Sequence, residues 1–143
     1  GFAHWFVRDE IIRSDLHNEV LPVLQNSLNK IEVHGDRRYL QGRSFLQLPL
    51  NIANREKLDV PHVDVADFKH LVILYYVTDA DGETVIYDNQ FVENEKIPNF
   101  EDLKEKQRVM PKQGRVVCFD GYYWHTSQQP SKGTRCIINY NVV

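Results

Sequence analysis

Apolar residues recur along the first part of the chain at the spacing of one helical face, and later gather into short runs of the kind that form strands. Ile11, Ile12, Leu16, Val20, Leu24 and Leu28 make the first pattern, which predicts helix from Asp9 to about Lys30. Pro22 interrupts the stripe, so a kink or two shorter helices are expected there, because proline lacks the N–H of an interior turn. Gly35 and Gly42 bracket a polar region, from which an extended segment near Phe45–Leu50 emerges.

After His62 the texture changes. The run from His70 to Val77 is β-branched and aromatic, and too apolar for a strand with one wet face. Asp79-Ala80-Asp81-Gly82 is turn chemistry, and Thr84–Tyr87 reads as a returning strand. Glu93 to Lys106 is the most polar stretch, broken by Pro98. It predicts a surface loop, or one or two helical turns over Glu101–Lys106. Arg115–Asp120 reads as a short buried strand, Gly121–Pro130 as a loop, and Thr134–Val143 as the last strand. The expected fold is mainly β: a double-stranded β-helix, the jelly roll that also serves cupins, with N-terminal helices packed on one sheet. The chain reads as one domain over 1–143, with about 1–45 as helical support and about 46–143 as the jelly-roll core.

Composition narrows the partners. The 143 residues suffice for one core, and 42% apolar with 26% charged residues is ordinary for a soluble globular protein. A net charge of −3 without a basic stripe gives no general attraction to nucleic acid. No run is long enough to span a bilayer and no secretory pattern is present, so an intracellular, cytoplasmic protein is expected. Cys118 and Cys136 lack CxxC spacing and sit in strand-like runs, which predicts buried, reduced thiols; a disulfide would require neighbouring strands.

The candidate chemistry lies in His62-Val63-Asp64, His125 and Arg135. In extended backbone His62 and Asp64 point to the same face. Two imidazoles and a carboxylate form the facial triad that holds non-haem Fe(II) and leaves the opposite face open. With no thiolate in the set, a structural zinc site is not expected. A guanidinium soon after the second histidine suits the far carboxylate of a dicarboxylic cosubstrate. His4, His17, His34 and His70 are read as ordinary, satisfied polar residues.

From His62 onward the chain resembles the prolyl-4-hydroxylase-like branch of the 2-oxoglutarate/Fe(II) oxygenases, in particular short bacterial and phage-type members. Five ordered motifs carry the resemblance: His62-Val63-Asp64, Leu74-Tyr75-Tyr76-Val77, Asp81-Gly82-Glu83-Thr84, Gly114–Asp120 with Trp124-His125, and Gly133-Thr134-Arg135. It implies Fe(II) on His62, Asp64 and His125, with 2-oxoglutarate chelating the metal and its distal carboxylate on Arg135. Tyr76 would add a phenolic hydrogen bond to that carboxylate, the alternative being core packing. Thr84 and Asn139 match positions lining the cosubstrate pocket in relatives, and Leu74 shares the strand face of Tyr76.

The implied reaction is O2-dependent hydroxylation of an unactivated C–H bond with release of succinate and CO2, with ascorbate as a candidate reductant. Retention of Asp64 favours hydroxylation over halogenation. The implied substrate is peptidyl proline or another amino-acid side chain, in a peptide, protein or free amino acid, inside a bacterial or phage-infected cell. Tyr122, Tyr123 and Trp124 would form an aromatic wall for substrate or a plug at the barrel mouth.

Two departures stand out. Asp81 takes the first glycine position of the turn. The stretch Leu50-Asn51-Ile52-Ala53-Asn54 lacks the tyrosine that relatives place before HxD, where Asn51 could supply a hydrogen bond instead. A cupin-type metal dioxygenase not using 2-oxoglutarate and a non-catalytic jelly-roll binding module remain the alternatives, and oligomeric state is not legible.

Overall fold

The computed structural model describes residues 1–31, 37–50 and 58–143. The readings at His34, Gly35 and Asn51–Asn54 lie outside the described residues.

The chain opens on a hairpin where helix was expected. β1 (Phe2–Arg8) and β2 (Ile11–Ile12) pair antiparallel, Val7 opposite Ile12 and Arg8 opposite Ile11. The two linking residues, Asp9 and Glu10, both have positive φ, 53° and 61°. That is the turn whose twist matches a hairpin, and it normally announces itself by Asn-Gly or Asp-Gly. Ile11 and Ile12 therefore leave the helical stripe and lie exposed.

The expected helices are one helix among the described residues, α1 (Leu16–Lys30), which continues through Pro22. Ser14 Oγ accepts the Leu16 N–H at its start (3.3 Å). Leu24 and Leu28 are buried against Phe6, Val7, Ile73, Tyr140 and Val142, with Val20 and Leu21 packed alongside. This apolar seam offsets the one hydrogen bond that proline removes.

The remaining strands are β3 (Tyr39–Gln47), β4 (Leu71–Tyr76), β5 (Thr84–Gln90), β6 (Glu105–Val109), β7 (Val116–Asp120), β8 (Tyr123–Ser127) and β9 (Arg135–Val142). They form a six-stranded sheet, order β2-β1-β3-β9-β4-β7, and a three-stranded sheet, order β6-β5-β8. The named strand pairings are antiparallel, in a jelly-roll-like arrangement. β5 does not return onto β4 as expected. Both edges of β4 are taken, by β7 and β9, so the chain crosses to the second sheet. The polar stretch after Glu93 holds a 3-10 turn (Phe100–Asp102) and then β6, an edge strand in which Val109 alone is buried. The expected loop Gly121–Pro130 contains β8.

Three apolar layers follow from this order. One lies between α1 and the large sheet. A second joins Leu74, Tyr76 and Ile137 of the large sheet to Val109 of the small one. The third groups Val85, Tyr87, Leu103 and Trp124. β4 is covered on both faces, which explains its unbroken apolar character. Cys118 and Cys136 are free thiols on β7 and β9, strands held apart by β4. No helix among the described residues is long and apolar enough to cross a membrane.

His17 shows what a satisfied histidine does here. It is buried on α1, with Nδ1 2.8 Å from the Tyr140 hydroxyl. Burial holds its pKa below the ordinary value. The unfolded chain therefore binds this proton more readily, and stability should fall as pH drops below about 6.5. Urea unfolding at pH 7.5 and 5.5 is expected to show a smaller pH dependence in His17→Gln than in wild type. An unchanged dependence would assign the effect to other groups.

Candidate metal centre

His62 and His125 face each other across a strand-like pairing. The His62 N–H donates to the His125 carbonyl (2.9 Å), and the His125 N–H to the His62 carbonyl (3.0 Å). Such directly opposed residues project from the same face, and the two rings lie 4.7 Å apart between centroids. Each Nδ1 is tied to a backbone carbonyl, His62 to Val60 (3.1 Å) and His125 to Tyr123 (3.0 Å). With Nδ1 donating, each Nε2 presents its lone pair inward.

Asp64 completes the group. Its Oδ1 is 3.5 Å from His62 Nε2, its Oδ2 3.8 Å from His125 Nε2, and the ligand atoms of the three residues lie within 4.8 Å of one another. The three residues singled out in the sequence thus converge in space. His125 sits within β8 of the small sheet, where the sequence suggested a loop.

Protonation suits a cation site. Burial would raise the Asp64 pKa, but the hydrogen bond to His62, the charge of His125 and the Asn139 amide outweigh it, holding the carboxyl well below the usual range. Burial, opposed by Asp64, keeps His125 below its ordinary value. At His62 burial is outweighed by the hydrogen bond and charge of Asp64, so its pKa is raised. Its side chain is 47% exposed against 2% for Asp64, so the centre is open on the His62 side.

A cavity of about 250 Å³ runs from this centre to Arg135. Arg135 and Asn139 are four residues apart on β9, roughly 13 Å of strand. Arg135 is 2% exposed. Its guanidinium donates to three uncharged acceptors: the Gly82 carbonyl (3.0 Å), Gln47 Oε1 (2.8 Å) and Thr84 Oγ1 (2.7 Å). Burial pulls its pKa down, and among the described residues no carboxylate forms an ion pair with it. A buried cation served by neutral groups alone carries a large desolvation cost that an anion would relieve. Gln47 leads on to Asp59 (3.1 Å), which also accepts from Ser127 and Gln129.

Other sequence-singled residues fall into two groups. Leu74, Thr84 and Asn139 line the cavity. Tyr76 does not. It is fully buried behind Thr84 and donates to Thr84 Oγ1 (2.6 Å). Because Thr84 Oγ1 accepts from both Tyr76 and Arg135, its own proton is free to point elsewhere. Tyr122, Tyr123 and Trp124 lie away from the cavity wall. Tyr122 donates to the Ala66 carbonyl, Tyr123 accepts from Lys106, and Trp124 packs with Val85 and Tyr87. Trp124 precedes His125 on β8 and so points to the opposite face.

Four further residues, absent from the sequence reading, belong to the site. Gln47 and Asp59 brace Arg135, while Arg43 and Asn141 contact Asp64. Asn141 takes the amide orientation that sets its nitrogen 3.1 Å from Asp64 Oδ2, since the reverse would oppose two acceptors. The strand parity Arg43, Phe45, Gln47 and Asn139, Asn141 was the available signal.

The Asp81 departure has a structural role. Its carboxylate accepts the backbone N–H of Ser131 (2.7 Å) and of Lys132 (3.1 Å), and the Ser131 hydroxyl. This ties the turn to the loop before β9. Gly82 beside it has no room for a side chain, because a Cβ would lie 2.3 Å from the Gln128 carbonyl. Gly82→Ala is expected to lose about 1–3 kcal/mol in urea unfolding, and to displace the carbonyl that receives Arg135. A variant as stable as wild type would contradict this packing.

No protein-family model and no curated protein matches the sequence. Solved structures do match the fold. A 2OG-Fe(II) oxygenase-family oxidoreductase from Burkholderia pseudomallei aligns over 98% of this chain and 64% of its own, at 12% identity and TM-score 0.64. The 2OG complex of the viral collagen prolyl hydroxylase from Paramecium bursaria Chlorella virus-1 aligns over 98% and 77%, at 13% identity and TM-score 0.58. The fold is that of the 2OG-Fe(II) oxygenases. The non-haem α-ketoglutarate-dependent carbocyclase SnoK of nogalamycin biosynthesis also shares it, over 98% of this chain and 62% of its own, at 12% identity and TM-score 0.58. One oxygenase fold thus carries named activities as different as hydroxylation and ring formation.

The first two neighbours are named with 2OG, and the first also with Fe(II). The residues present fit both. Two imidazoles line one end of the cavity with the Asp64 carboxylate beside them, and a buried guanidinium without an anionic contact stands at the other.

Proposed function

We propose that the chain is a 2-oxoglutarate- and Fe(II)-dependent dioxygenase that hydroxylates an unactivated C–H bond of an amino acid or amino-acid side chain, releasing succinate and CO2. The observation carrying this reading is the pairing of His62, Asp64 and His125 with the buried Arg135 across one cavity. A metal dioxygenase acting on bound substrate alone has no use for that guanidinium.

His62, Asp64 and His125 would hold Fe(II), with both imidazoles oriented by backbone carbonyls. Arg135 would bind the distal carboxylate of 2-oxoglutarate through charge-assisted hydrogen bonds, and the Thr84 hydroxyl would donate a further one. Tyr76 acts through Thr84 as a positioning residue. Gln47 and Asp59 hold the guanidinium in place. Leu74, Phe45 and Ile137 form apolar walls that would exclude water from bound 2-oxoglutarate. When bound, Fe(II) and 2-oxoglutarate would supply the chemistry, coupling O2-dependent decarboxylation to hydroxylation of the substrate. Peptidyl proline enters as a substrate through the viral hydroxylase neighbour and the sequence resemblance, which are analogies of fold and motif.

Thermal unfolding with Mn(II) as a redox-silent metal tests the pairing. Ligand at 100 times its Kd stabilises a protein by about 2.7 kcal/mol. We expect 2-oxoglutarate to raise Tm by several degrees in the presence of Mn(II), and far less in its absence. A metal response with none to 2-oxoglutarate would favour the metal dioxygenase acting without it. No response to either would favour a binding module.

A further inference from the structure

We infer that Arg43 is the anchor for a carboxylate of the primary substrate, so that the substrate carries an acid group within a few bonds of the carbon attacked. The inference rests on the function proposed above and deepens it.

Arg43 lies on β3, opposite Trp5 of β1 and opposite Asn139 of β9. Its guanidinium carbon stands 5.1 Å from the centre of the Trp5 ring, a cation–π contact that fixes the plane of the fork. The same side chain lines the cavity beside His62 and His125. It is 29% exposed, in contrast to Arg135.

Among the described residues, Asp64 is the carboxylate within ion-pair reach of Arg43, and the contact is long: Nη2 to Oδ1, 3.4 Å. The two oxygens of Asp64 are not equivalent. Oδ2 receives two amide donors from β9, Asn139 at 2.9 Å and Asn141 at 3.1 Å. Oδ1 receives no amide donor, only the long Arg43 hydrogen bond at 3.4 Å, and has His62 Nε2 at 3.5 Å. Oδ1 is therefore the oxygen with a lone pair to give a metal. A metal held at Oδ1 would compete with Arg43 for the same atom and repel it. The fork, stacked on Trp5 and partly exposed, would then stand beside the metal centre without an anion.

Arg135, at the other end, is the donor buried deeply enough for the cosubstrate. The second guanidinium is left for the substrate. A residue inside a peptide chain has no carboxylate near its side-chain carbons unless it is acidic, whereas a free amino acid always has one. The shared chemistry is a carboxylate close to the reacting carbon, and its two sources are a free amino acid and an acidic side chain in a peptide.

The test is anaerobic calorimetry on protein carrying Fe(II) and 2-oxoglutarate. The probes are the twenty free L-amino acids, their carboxamides, and a blocked peptide containing aspartate. At least one free acid or the aspartate peptide should bind, its uncharged amide at least tenfold more weakly, and Arg43→Gln should abolish that difference. Binding by a free acid identifies the first source, and binding by the peptide the second. Arg43→Gln should bind Fe(II) at least as tightly as wild type, because the guanidinium no longer competes for Asp64 Oδ1. Equal binding of acids and amides, or no binding by any probe, overturns the inference while leaving the proposed function standing. Loss of metal affinity in Arg43→Gln also overturns it, making Arg43 a positioning residue for Asp64. Failure of the wild type to take up Fe(II) and 2-oxoglutarate removes both readings together.

Discussion

Asp64→Ala is expected to bind Fe(II) at least about 100-fold more weakly than wild type and to lose metal-dependent turnover. Altering a mere supporting partner of a metal ligand typically costs 10- to 100-fold, and Asp64 is proposed as a ligand itself. The same substitution leaves the Asn139 and Asn141 amides without their shared acceptor, a loss of about 1–3 kcal/mol. Asp64→Asn is the control that keeps the shape of the side chain. It should remain folded by circular dichroism and yet bind metal poorly, because the anion is gone. Metal titration followed by competition with a chelator checks both variants. Near-normal affinity in either would remove Asp64 from the ligand set.

The second large effect belongs to Arg135. Truncating one partner of a buried, charge-assisted pair costs about 2–5 kcal/mol, which is roughly 30-fold to several thousand-fold in affinity. Arg135→Ala should weaken 2-oxoglutarate by that order while Fe(II) affinity changes little, since the guanidinium touches Gly82, Gln47 and Thr84 and none of the triad. Arg135→Lys keeps the charge but loses the fork, and should fall between wild type and alanine. Competition with 2-oxoglutarate at fixed metal separates these cases. An unchanged requirement for 2-oxoglutarate in Arg135→Ala would show that the cosubstrate anchor lies elsewhere.

The parts of the fold legible from sequence are those where one residue's surroundings decide its type. β4 is apolar because both its faces are covered, and on β9 the cavity-lining Arg135, Ile137 and Asn139 alternate with Ile138 and Tyr140, which pack in the α1 layer. His62 and Asp64 stood out through their spacing of two residues, and they share one side of the site although neither lies in a named strand.

The misses have equally local causes. The Asp9-Glu10 turn lacks glycine, so the helical spacing of Ile11 and Ile12 prevailed in the reading. β6 is a polar edge strand with no apolar alternation to reveal it. β8 is five residues long and flanked by loop chemistry. Gln47 and Arg135 are 88 residues apart in sequence, and nothing in either residue's immediate surroundings announces their hydrogen bond. Arg43 and Asn141 were invisible for the same reason, because their meaning comes from Asp64, which reaches them only in the folded chain.

The central claim is that one cavity brings a metal and 2-oxoglutarate into direct contact. An anaerobic optical titration of the metal-free protein, first with Fe(II) and then with 2-oxoglutarate, tests it most directly. A saturable visible charge-transfer band should appear, weakened by Asp64→Ala and by Arg135→Ala. Iron binding with no band on adding 2-oxoglutarate, or a band indifferent to both substitutions, would contradict it.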